Sequence, residues 1–214
     1  HLVTMYTSYH DPSRCFEETV TAEGDRATWV RVAGGWIPRQ LFGRAHALMA
    51  YLRSLWSALV LLFCCKPFPD VIIVDQVSAP ILLLRWFCSA KILFYCHFPD
   101  QLLAKRSSKL HALYRAPVDW FEQYTTGKAH AVVVNSQYTG QVFLKTFRRL
   151  NIRPSVLYPA VDTSQFAGVP PPPPPGCKET AKALVEADLK QIPTNSRMFL
   201  SINRFERKKG LRIA

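Results

Sequence analysis

A chain of 214 residues fits one domain plus a fragment better than two full domains, since domains average about 150 residues. Hydrophobic residues make up 49% and charged residues 20%, which is typical of globular proteins and excludes disordered, collagenous and fibrous ones. The formal net charge is +12, and the excess of bases lies beyond residue 50, because residues 1–50 carry five acids and five bases. The partners are therefore expected to be anionic: nucleic acid, phospholipid or a sugar diphosphate.

The cysteines indicate the cellular compartment in which the protein works. Four of the six cysteines lie inside apolar runs, where a free thiol behaves as a small hydrophobe, and the chain has no C-x-x-C pair and no N-x-S/T sequon. We therefore expect a reducing, cytosolic environment and no structural zinc site.

The chain begins in a strand-like run without an initiator Met and stops at Ala214 as a helix begins. We expect a fragment.

Short apolar segments alternate with longer helical patterns along the first 160 residues. The predicted strands are Leu2–Tyr6, Thr28–Ala33, Val71–Val74, Lys91–Tyr95, Ala131–Val134 and Val156–Tyr158. The predicted helices are about Leu41–Cys65, Ala79–Cys88, Lys109–Thr125 and Gln137–Leu150. The β-branched run Val71–Val74 is typical of a strand that is buried on both faces. Strands that alternate with helices predict an α/β fold with a doubly wound parallel sheet.

Polar residues follow several of the predicted strands directly. Ligands of such sheets bind outside the carboxyl ends of the strands, so Asp75, His97, Asp100 and Ser136 are candidate cleft residues. A histidine in this position can equally be satisfied by the neighbouring backbone, and that alternative stays open for His97. His10 also follows a strand and is a looser second candidate.

The segment Leu48–Cys65 carries Arg53 as its one charge. Its uncharged part, Ser54–Cys65, would span roughly 18 Å as a helix, whereas a bilayer core needs about 20 residues. Three interpretations remain open: a membrane span, a core helix of the domain, or a helix at a membrane interface with Trp56 and Arg53 near the headgroups.

The last part of the chain differs in composition. Residues 170–175 are six consecutive prolines, which predict an exposed polyproline II segment, either a spacer or a ligand for an SH3 or WW domain. Arg197–Ile202 then predicts a strand, and Arg204–Gly210 a basic loop that enters a helix. Such a loop can bind a diphosphate at the helix N-terminus, or it can be a solvated turn.

Other chemistry-bearing patterns are sparse. The carboxylates that stand beside apolar or aromatic residues are Asp75, Asp100, Asp119, Glu122 and Asp162. Their spacing does not establish an acid–base pair. The motifs of P-loop, standard dinucleotide-binding, hydrolase-elbow and zincin proteins are absent from the sequence, and the aromatic residues are not interleaved with bases as in a nucleic-acid binder.

Taken together, several segments are specific enough to indicate a family. They are Thr7–Pro12 with Cys15–Glu17, Val74–Ser78, Ile92–Asp100 with Lys105-Arg106, Tyr114–Trp120, Glu122–Gly127, Val134–Gln137, Leu157–Pro159 and Ser201–Lys209. In these segments the chain closely resembles the eukaryotic α-1,3/1,6-mannosyltransferases of dolichol-linked oligosaccharide assembly, which are retaining GT-B enzymes of glycosyltransferase family 4. The resemblance covers nearly the whole chain except the proline run.

The resemblance implies two Rossmann-like domains that face each other across a cleft. Residues 1–160 would form the amino-terminal acceptor domain without its first strand, residues 161–196 a linker with the proline insert, and residues 197–214 the start of the carboxyl-terminal donor domain. The family's R-x-x-x-x-K-G pattern falls on Arg204, Lys209 and Gly210, so Arg204 and Lys209 would bind the donor diphosphate. The family's catalytic histidine matches His97, and His10, Asp75, Asp100 and Ser136 stay candidates for the acceptor or the cleft.

The implied activity is transfer of mannose from GDP-mannose to mannosyl-chitobiosyl-diphosphodolichol at the cytosolic face of the endoplasmic reticulum membrane. It implies no cofactor and no metal. The partners would be the two substrates, the membrane surface and other mannosyltransferases of the pathway, but no nucleic acid. The family's glycine-rich loop and its Glu-x7-Glu motif are absent from this sequence, so we expect this chain alone to be inactive. The alternative is a non-catalytic, membrane-associated scaffold that keeps the fold.

Overall fold

A computed structural model describes residues 3–21, 27–41, 45–103 and 109–160. The predicted linker, the strand after it and the basic loop with Arg204 and Lys209 lie outside these residues, so the predicted domain boundaries are left untested.

The described part of the chain is an α/β structure. Its strands are β1 (Met5–Thr7), β2 (Val30–Val32), β3 (Val71–Asp75), β4 (Lys91–Cys96), β5 (Ala131–Val134) and β6 (Ser155–Val156). Its helices are α1 (His46–Cys64), α2 (Ala79–Phe87), α3 (Asp100–Leu103), α4 (Lys109–Thr126) and α5 (Gln137–Thr146), with 3₁₀ turns at Pro12–Arg14 and Glu17–Thr19. The order of strands and helices confirms the predicted α/β fold. The one-turn helix α3 is not among the predicted elements.

The strands form two parallel sheets. β1 pairs with β2, and the larger sheet has the order β3-β4-β5-β6. Helices α2, α4 and α5 provide the crossovers that parallel neighbours require. The core of the larger sheet consists mainly of alternate residues of its strands and the facing side chains of α2 and α5, among them Ile92, Phe94, Leu84 and Phe143. Parallel strands bring the carboxyl ends of β3, β4 and β5 to one edge, which positions the site described below.

The prediction that Val71–Val74 is buried on both faces is wrong for β3. Its residues alternate between buried and exposed, and Val71 and Ile73 are 56% and 65% exposed while Ile72 and Val74 are buried. The reason is that β3 is the end strand of its sheet and packs against helices on one face. β-branched residues favour any strand, so a run of them does not report how many faces are covered.

Helix α1 packs against the α/β domain. Ser57 donates a hydrogen bond to the Ala33 carbonyl oxygen (2.8 Å) and Arg53 to the Ser8 carbonyl oxygen (3.0 Å). Ala58 belongs to the hydrophobic core of the larger sheet. The three interpretations of Leu48–Cys65 stay hypotheses.

The outer side of α1 nevertheless remains apolar. The helix has 19 residues with a mean hydropathy of 1.7, long and apolar enough to cross a membrane, and 22% of it is buried. Leu48, Leu52 and Trp56 recur at intervals of four and are each at least 40% exposed, and Phe63 is 79% exposed. We refer to these four residues as the α1 stripe.

Several element boundaries differ from the predicted ones. α1 begins at His46 rather than Leu41, because Ala45 before it adopts a left-handed conformation with φ 58°. α5 ends at Thr146 rather than Leu150, and the chain leaves it through Phe147. β6 comprises Ser155–Val156, so it begins one residue and ends two residues earlier than predicted, although the Leu157 N–H still bonds to the Val134 carbonyl oxygen at 2.9 Å. The five cysteines in the described part of the chain are free thiols.

A matched pair of leucines tests this core. Leu84 of α2 is 2% exposed within the core, whereas Leu144 of α5 is 47% exposed. We expect Leu84→Ala to lower the free energy of unfolding by about 2–5 kcal/mol, and Leu144→Ala to lower it by less than about 1 kcal/mol. Urea unfolding measures both changes. Equal losses in the two variants would contradict this assignment of the core.

Candidate functional site

The site is built around the adjacent ends of β3 and β4. Their parallel register pairs Asp75 with Tyr95, so Asp75 ends β3 beside the last residues of β4, and His97 follows one residue after that strand. His97 Nε2 lies 2.8 Å from Asp75 Oδ1. Both side chains are exposed, at 46% and 67%. This contact engages one ring nitrogen of His97 and restrains the orientation of the imidazole. Histidines that act in acid–base chemistry are often held by a carboxylate in the same way.

Gln76 holds the backbone of the turn that carries His97. Its side-chain Oε1 accepts from the N–H groups of His97 (3.1 Å) and Phe98 (3.3 Å), and its Nε2 donates to the Phe98 carbonyl oxygen (2.9 Å). Gln76 itself has a left-handed backbone with φ 59°, which is uncommon outside glycine. Backbone strain of this sort concentrates where function requires a fixed geometry.

Tyr95 supports His97 from the other side. The two rings meet edge to face, with centroids 4.8 Å apart, an arrangement that the ring quadrupoles favour. The Tyr95 hydroxyl donates to the Leu157 carbonyl oxygen at 3.0 Å. A carboxylate, an amide and an aromatic ring therefore restrict the imidazole and its backbone.

Asp100 is 32% exposed and is engaged by α4. Its carboxylate pairs with Arg115, with Oδ2 3.1 Å from Nη2, and Asp119 Oδ1 lies 3.1 Å from the same nitrogen. Arg115 is 4% exposed. A buried guanidinium between two carboxylates holds the start of α3 against α4, because separating the pair would leave a buried charge without a partner.

Glu122 provides a second contact between the same two helices. It is 4% exposed, and its two carboxylate oxygens accept from the backbone N–H groups of Asp100 (2.7 Å) and Gln101 (3.0 Å). Burial raises the pKa of Glu122 to about 7, with further increases from the Asp100 and Asp119 carboxylates and opposing effects from the two N–H bonds. This carboxyl is poised between its two forms near neutral pH.

Ser136 is engaged at the start of α5. Its hydroxyl accepts from the Thr139 N–H at 3.1 Å, which is the usual contact of a helix N-cap. Thr139 also donates to Asn135 Oδ1 at 2.6 Å. Ser136 therefore has a structural partner, and its candidacy as a cleft residue stays a prediction.

His10 lines a separate cavity beyond the end of β1. Its Nε2 lies 3.0 Å from the Thr19 hydroxyl. The cavity measures about 380 Å³ and is also lined by Tyr9, Arg14 and Arg39, and the Arg39 guanidinium lies 4.4 Å from the centre of the Tyr9 ring. The lining combines the basic side chains with the carboxylate of Asp11, which suits a polyhydroxylated ligand, and His10 stays a candidate for the acceptor.

The structure thus brings some predicted site residues together and leaves others apart. Asp75 and His97 are in contact, and Asp100 is linked to His97 through the turn between β4 and α3. Among the described residues no group of three or more His, Cys, Asp or Glu side chains could hold a metal ion. Arg204 and Lys209 lie outside the described residues.

The sequence draws attention to Gln76, which follows β3 directly next to Asp75, and to Glu122 as a carboxylate beside aromatic residues. It does not predict that these side chains hold the turn. Arg115 and Glu122 are seven residues apart, which places them on one face of a helix, but their target α3 is too short to give a periodic signal.

Parallel strands joined by helical crossovers define an α/β protein of the Rossmann type, in which ligands bind outside the carboxyl ends of the strands. Comparison with known sequences is consistent with this class. The sequence model of Glycosyltransferase Family 4 matches residues 1–165, and the chain belongs to this family. Its fold is accordingly GT-B-like.

The chain is also similar to individual curated proteins along its whole length. It is 43% identical over 221 residues to "Alpha-1,3/1,6-mannosyltransferase ALG2" of Dictyostelium discoideum, covering 99% of this chain and 49% of that protein. The proteins of the same name from Rhizomucor pusillus and Homo sapiens are 42% and 45% identical, with 100% and 99% of this chain and 44% and 47% of theirs covered. The chain therefore spans about half the length of these relatives.

The N-cap assignment of Ser136 leads to a stability test. We expect Ser136→Ala to lower the free energy of unfolding by about 1 kcal/mol, because one N–H at the start of α5 loses its acceptor. Ser136→Asp supplies an equivalent acceptor and should retain the stability of the unaltered protein. Thermal unfolding of both variants checks this, and an unchanged midpoint for Ser136→Ala would refute the cap.

Proposed function

We propose that the complete protein that contains this chain is a retaining mannosyltransferase. It transfers mannose from GDP-mannose to mannosyl-chitobiosyl-diphosphodolichol, first in α-1,3 and then in α-1,6 linkage, without a resident cofactor or metal. The observation that carries the proposal is the Asp75–His97 pair at the carboxyl edge of the sheet, in a chain that is similar along 99% of its length to α-1,3/1,6-mannosyltransferases.

The reaction develops positive charge at the anomeric carbon and negative charge on the leaving diphosphate. The glycosidic bond to GDP breaks, and the negative charge collects on the departing diphosphate, where Arg204 and Lys209 bind it. The acceptor hydroxyl forms the new glycosidic bond on the same face of the sugar, which retains the configuration, and its proton passes to the departing diphosphate. His97 contacts the transferring sugar or the hydroxyl through hydrogen bonds, and Asp75 keeps the ring in one orientation.

The acceptor is attached to a lipid, so the protein has to work at a membrane surface. The α1 stripe supports this part of the proposal, because an exposed row of Leu, Trp and Phe side chains suits the boundary between headgroups and acyl chains. The net charge of +12 adds attraction to anionic lipids. We place the protein on the cytosolic face of the endoplasmic reticulum membrane.

The central test is the turnover of His97 and Asp75 variants of the complete protein. We expect His97→Ala to lower kcat roughly a hundredfold or more, and Asp75→Asn to lower it by a smaller factor, with little change in the KM for GDP-mannose. His46→Ala serves as control, because His46 is exposed at the start of α1. Transfer of labelled mannose to the lipid-linked acceptor is the assay. Near-normal turnover of His97→Ala would make this histidine a packing residue.

Donor binding and membrane binding should separate in a second experiment. Replacing Arg204 and Lys209 by Ala removes two charge-assisted contacts of about 1.5–3 kcal/mol each and should weaken GDP-mannose binding roughly a hundredfold or more, with liposome association intact. Leu52→Glu with Trp56→Glu should do the reverse, because the change falls on the α1 stripe.

Donor titration and liposome sedimentation of both variants measure these effects, with Lys208→Ala as control for the basic loop. If the Arg204 and Lys209 variant bound GDP-mannose normally but left the liposomes, the loop would be a lipid-binding patch. The donor-site proposal would then be wrong.

A further inference from the structure

The turn that carries His97 is short and is held at both of its ends. His97, Phe98 and Pro99 link β4 to α3. Gln76 binds the first two of these residues, and Glu122 binds the two residues that follow Pro99, Asp100 and Gln101. Gln76 belongs to the same strand end as Asp75. Glu122, in contrast, comes from the C-terminal part of α4, and its carboxylate crosses between helices to reach the turn.

The burial of Glu122 is difficult to explain by stability alone. A carboxylate that is 4% exposed has lost most of its hydration, and such burial is costly even where partners are present. It is closely surrounded by other ionisable groups of the described residues: Asp100 on α3, Arg115 and Asp119 on α4, Tyr51 on α1 and Cys96 on β4. The Arg115 guanidinium pairs with the Asp100 and Asp119 carboxylates, and among the described residues it forms no ion pair with Glu122. What Glu122 provides is a pair of acceptors for two adjacent N–H groups.

We propose that Glu122 is a positioning residue for His97. By binding the Asp100 and Gln101 N–H groups, its carboxylate fixes the far end of the His97–Pro99 turn, so that the imidazole stays against Asp75 at the edge of the sheet. The inference rests on the proposed function of His97 in mannosyl transfer. A displacement of about 1 Å at a reacting group can cost roughly a hundredfold in rate. Loss of the two N–H contacts would allow the imidazole such a displacement.

Protonation of Glu122 gives this clamp a pH dependence. When the carboxyl is protonated, one of the two oxygens carries a hydrogen, and that oxygen becomes a poorer acceptor for the N–H that faces it. Because the pKa of Glu122 is about 7, the turn should be better ordered at pH 8 than at pH 6. Stability should change in the opposite direction. Folding raises this pKa from 4.5, so the folded state holds the proton more tightly and Glu122 lowers the free energy of unfolding as pH rises from about 4.5 to about 7.

The test uses Glu122→Gln in the complete protein. A glutamine presents one oxygen and one NH2 group to the two N–H donors, and so mimics the protonated state at every pH. We expect kcat to fall roughly tenfold to a hundredfold, with the KM for GDP-mannose changed less than about twofold. The rise of kcat through pH 7 that we expect in the unaltered enzyme should disappear. Thr126→Val is the matched control, since Thr126 is fully buried on the same helix and its hydroxyl has no hydrogen-bond partner among the described residues.

Hydrogen exchange provides a readout that does not depend on activity. After correction for the intrinsic pH dependence of exchange, the amides of residues 97, 98 and 100–103 should be more protected at pH 8 than at pH 6 in the unaltered protein. In Glu122→Gln they should be equally unprotected at both values, while β5 changes in neither. The comparison of exchange at pH 6 and pH 8 in the unaltered protein tests the inference even if Glu122→Gln fails to fold.

The outcomes separate the inference from the proposed function. Absence of mannosyl transfer by the unaltered protein would overturn the function but leave the exchange result to decide whether Glu122 holds the turn. Transfer by Glu122→Gln with unaltered kcat, or protection of residues 97, 98 and 100–103 that does not change between pH 6 and 8, would overturn the positioning role.

Discussion

The parallel register of β3 and β4 is the constraint on which the rest of the site depends. It sets Asp75 beside Tyr95, and from that pairing follow the Asp75–His97 contact and the reach of Gln76 to the turn after β4. A shift of one residue would reverse the faces of the strand, exposing Ile72 and Val74 and turning Asp75 inward. The hydrophobic core thus selects the register, and the register in turn places the polar side chains. Packing and function are determined by the same backbone hydrogen bonds.

A second polar layer lies behind this edge. Arg115, Asp100 and Glu122 hold α3 on α4 through contacts that are buried, directional and costly to break. An apolar contact of equal area could give as much stability, but it would not fix the position of backbone N–H groups. Hydrogen bonds require defined distances and angles, so the domain uses polar burial where a precise backbone position matters. Ser78 extends this layer, since its hydroxyl lies 2.7 Å from that of Thr125 and joins the start of α2 to α4.

The sequence predicts the elements better than it predicts their surroundings. Strands β4 and β5 and helices α2 and α4 were predicted to within a residue or two, because their hydrophobic runs are bounded by turns. The two-sided burial of β3 was wrong, since periodicity and β-branching report strand conformation and not which faces meet a neighbour. The placement of His97 and Asp75 was accessible from the rule for carboxyl ends of parallel strands. The partners Arg115 and Glu122 were not, because they reach α3 from a helix distant in sequence, and only packing reveals which side chains meet.

The charges at the described edge indicate which ligand groups it can accept. The side chains grouped there are Asp75, His97 and Asp100, and the cation that accompanies them, Arg115, is buried and paired with two carboxylates. A diphosphate approaching Asp75 would meet a carboxylate of like charge, and like charges repel. A sugar hydroxyl, in contrast, can donate to a carboxylate and either donate to or accept from an imidazole. The edge is therefore suited to the uncharged, hydroxyl-bearing part of the substrates. Under the proposed function, the basic side chains that neutralise the donor diphosphate are those of Arg204 and Lys209.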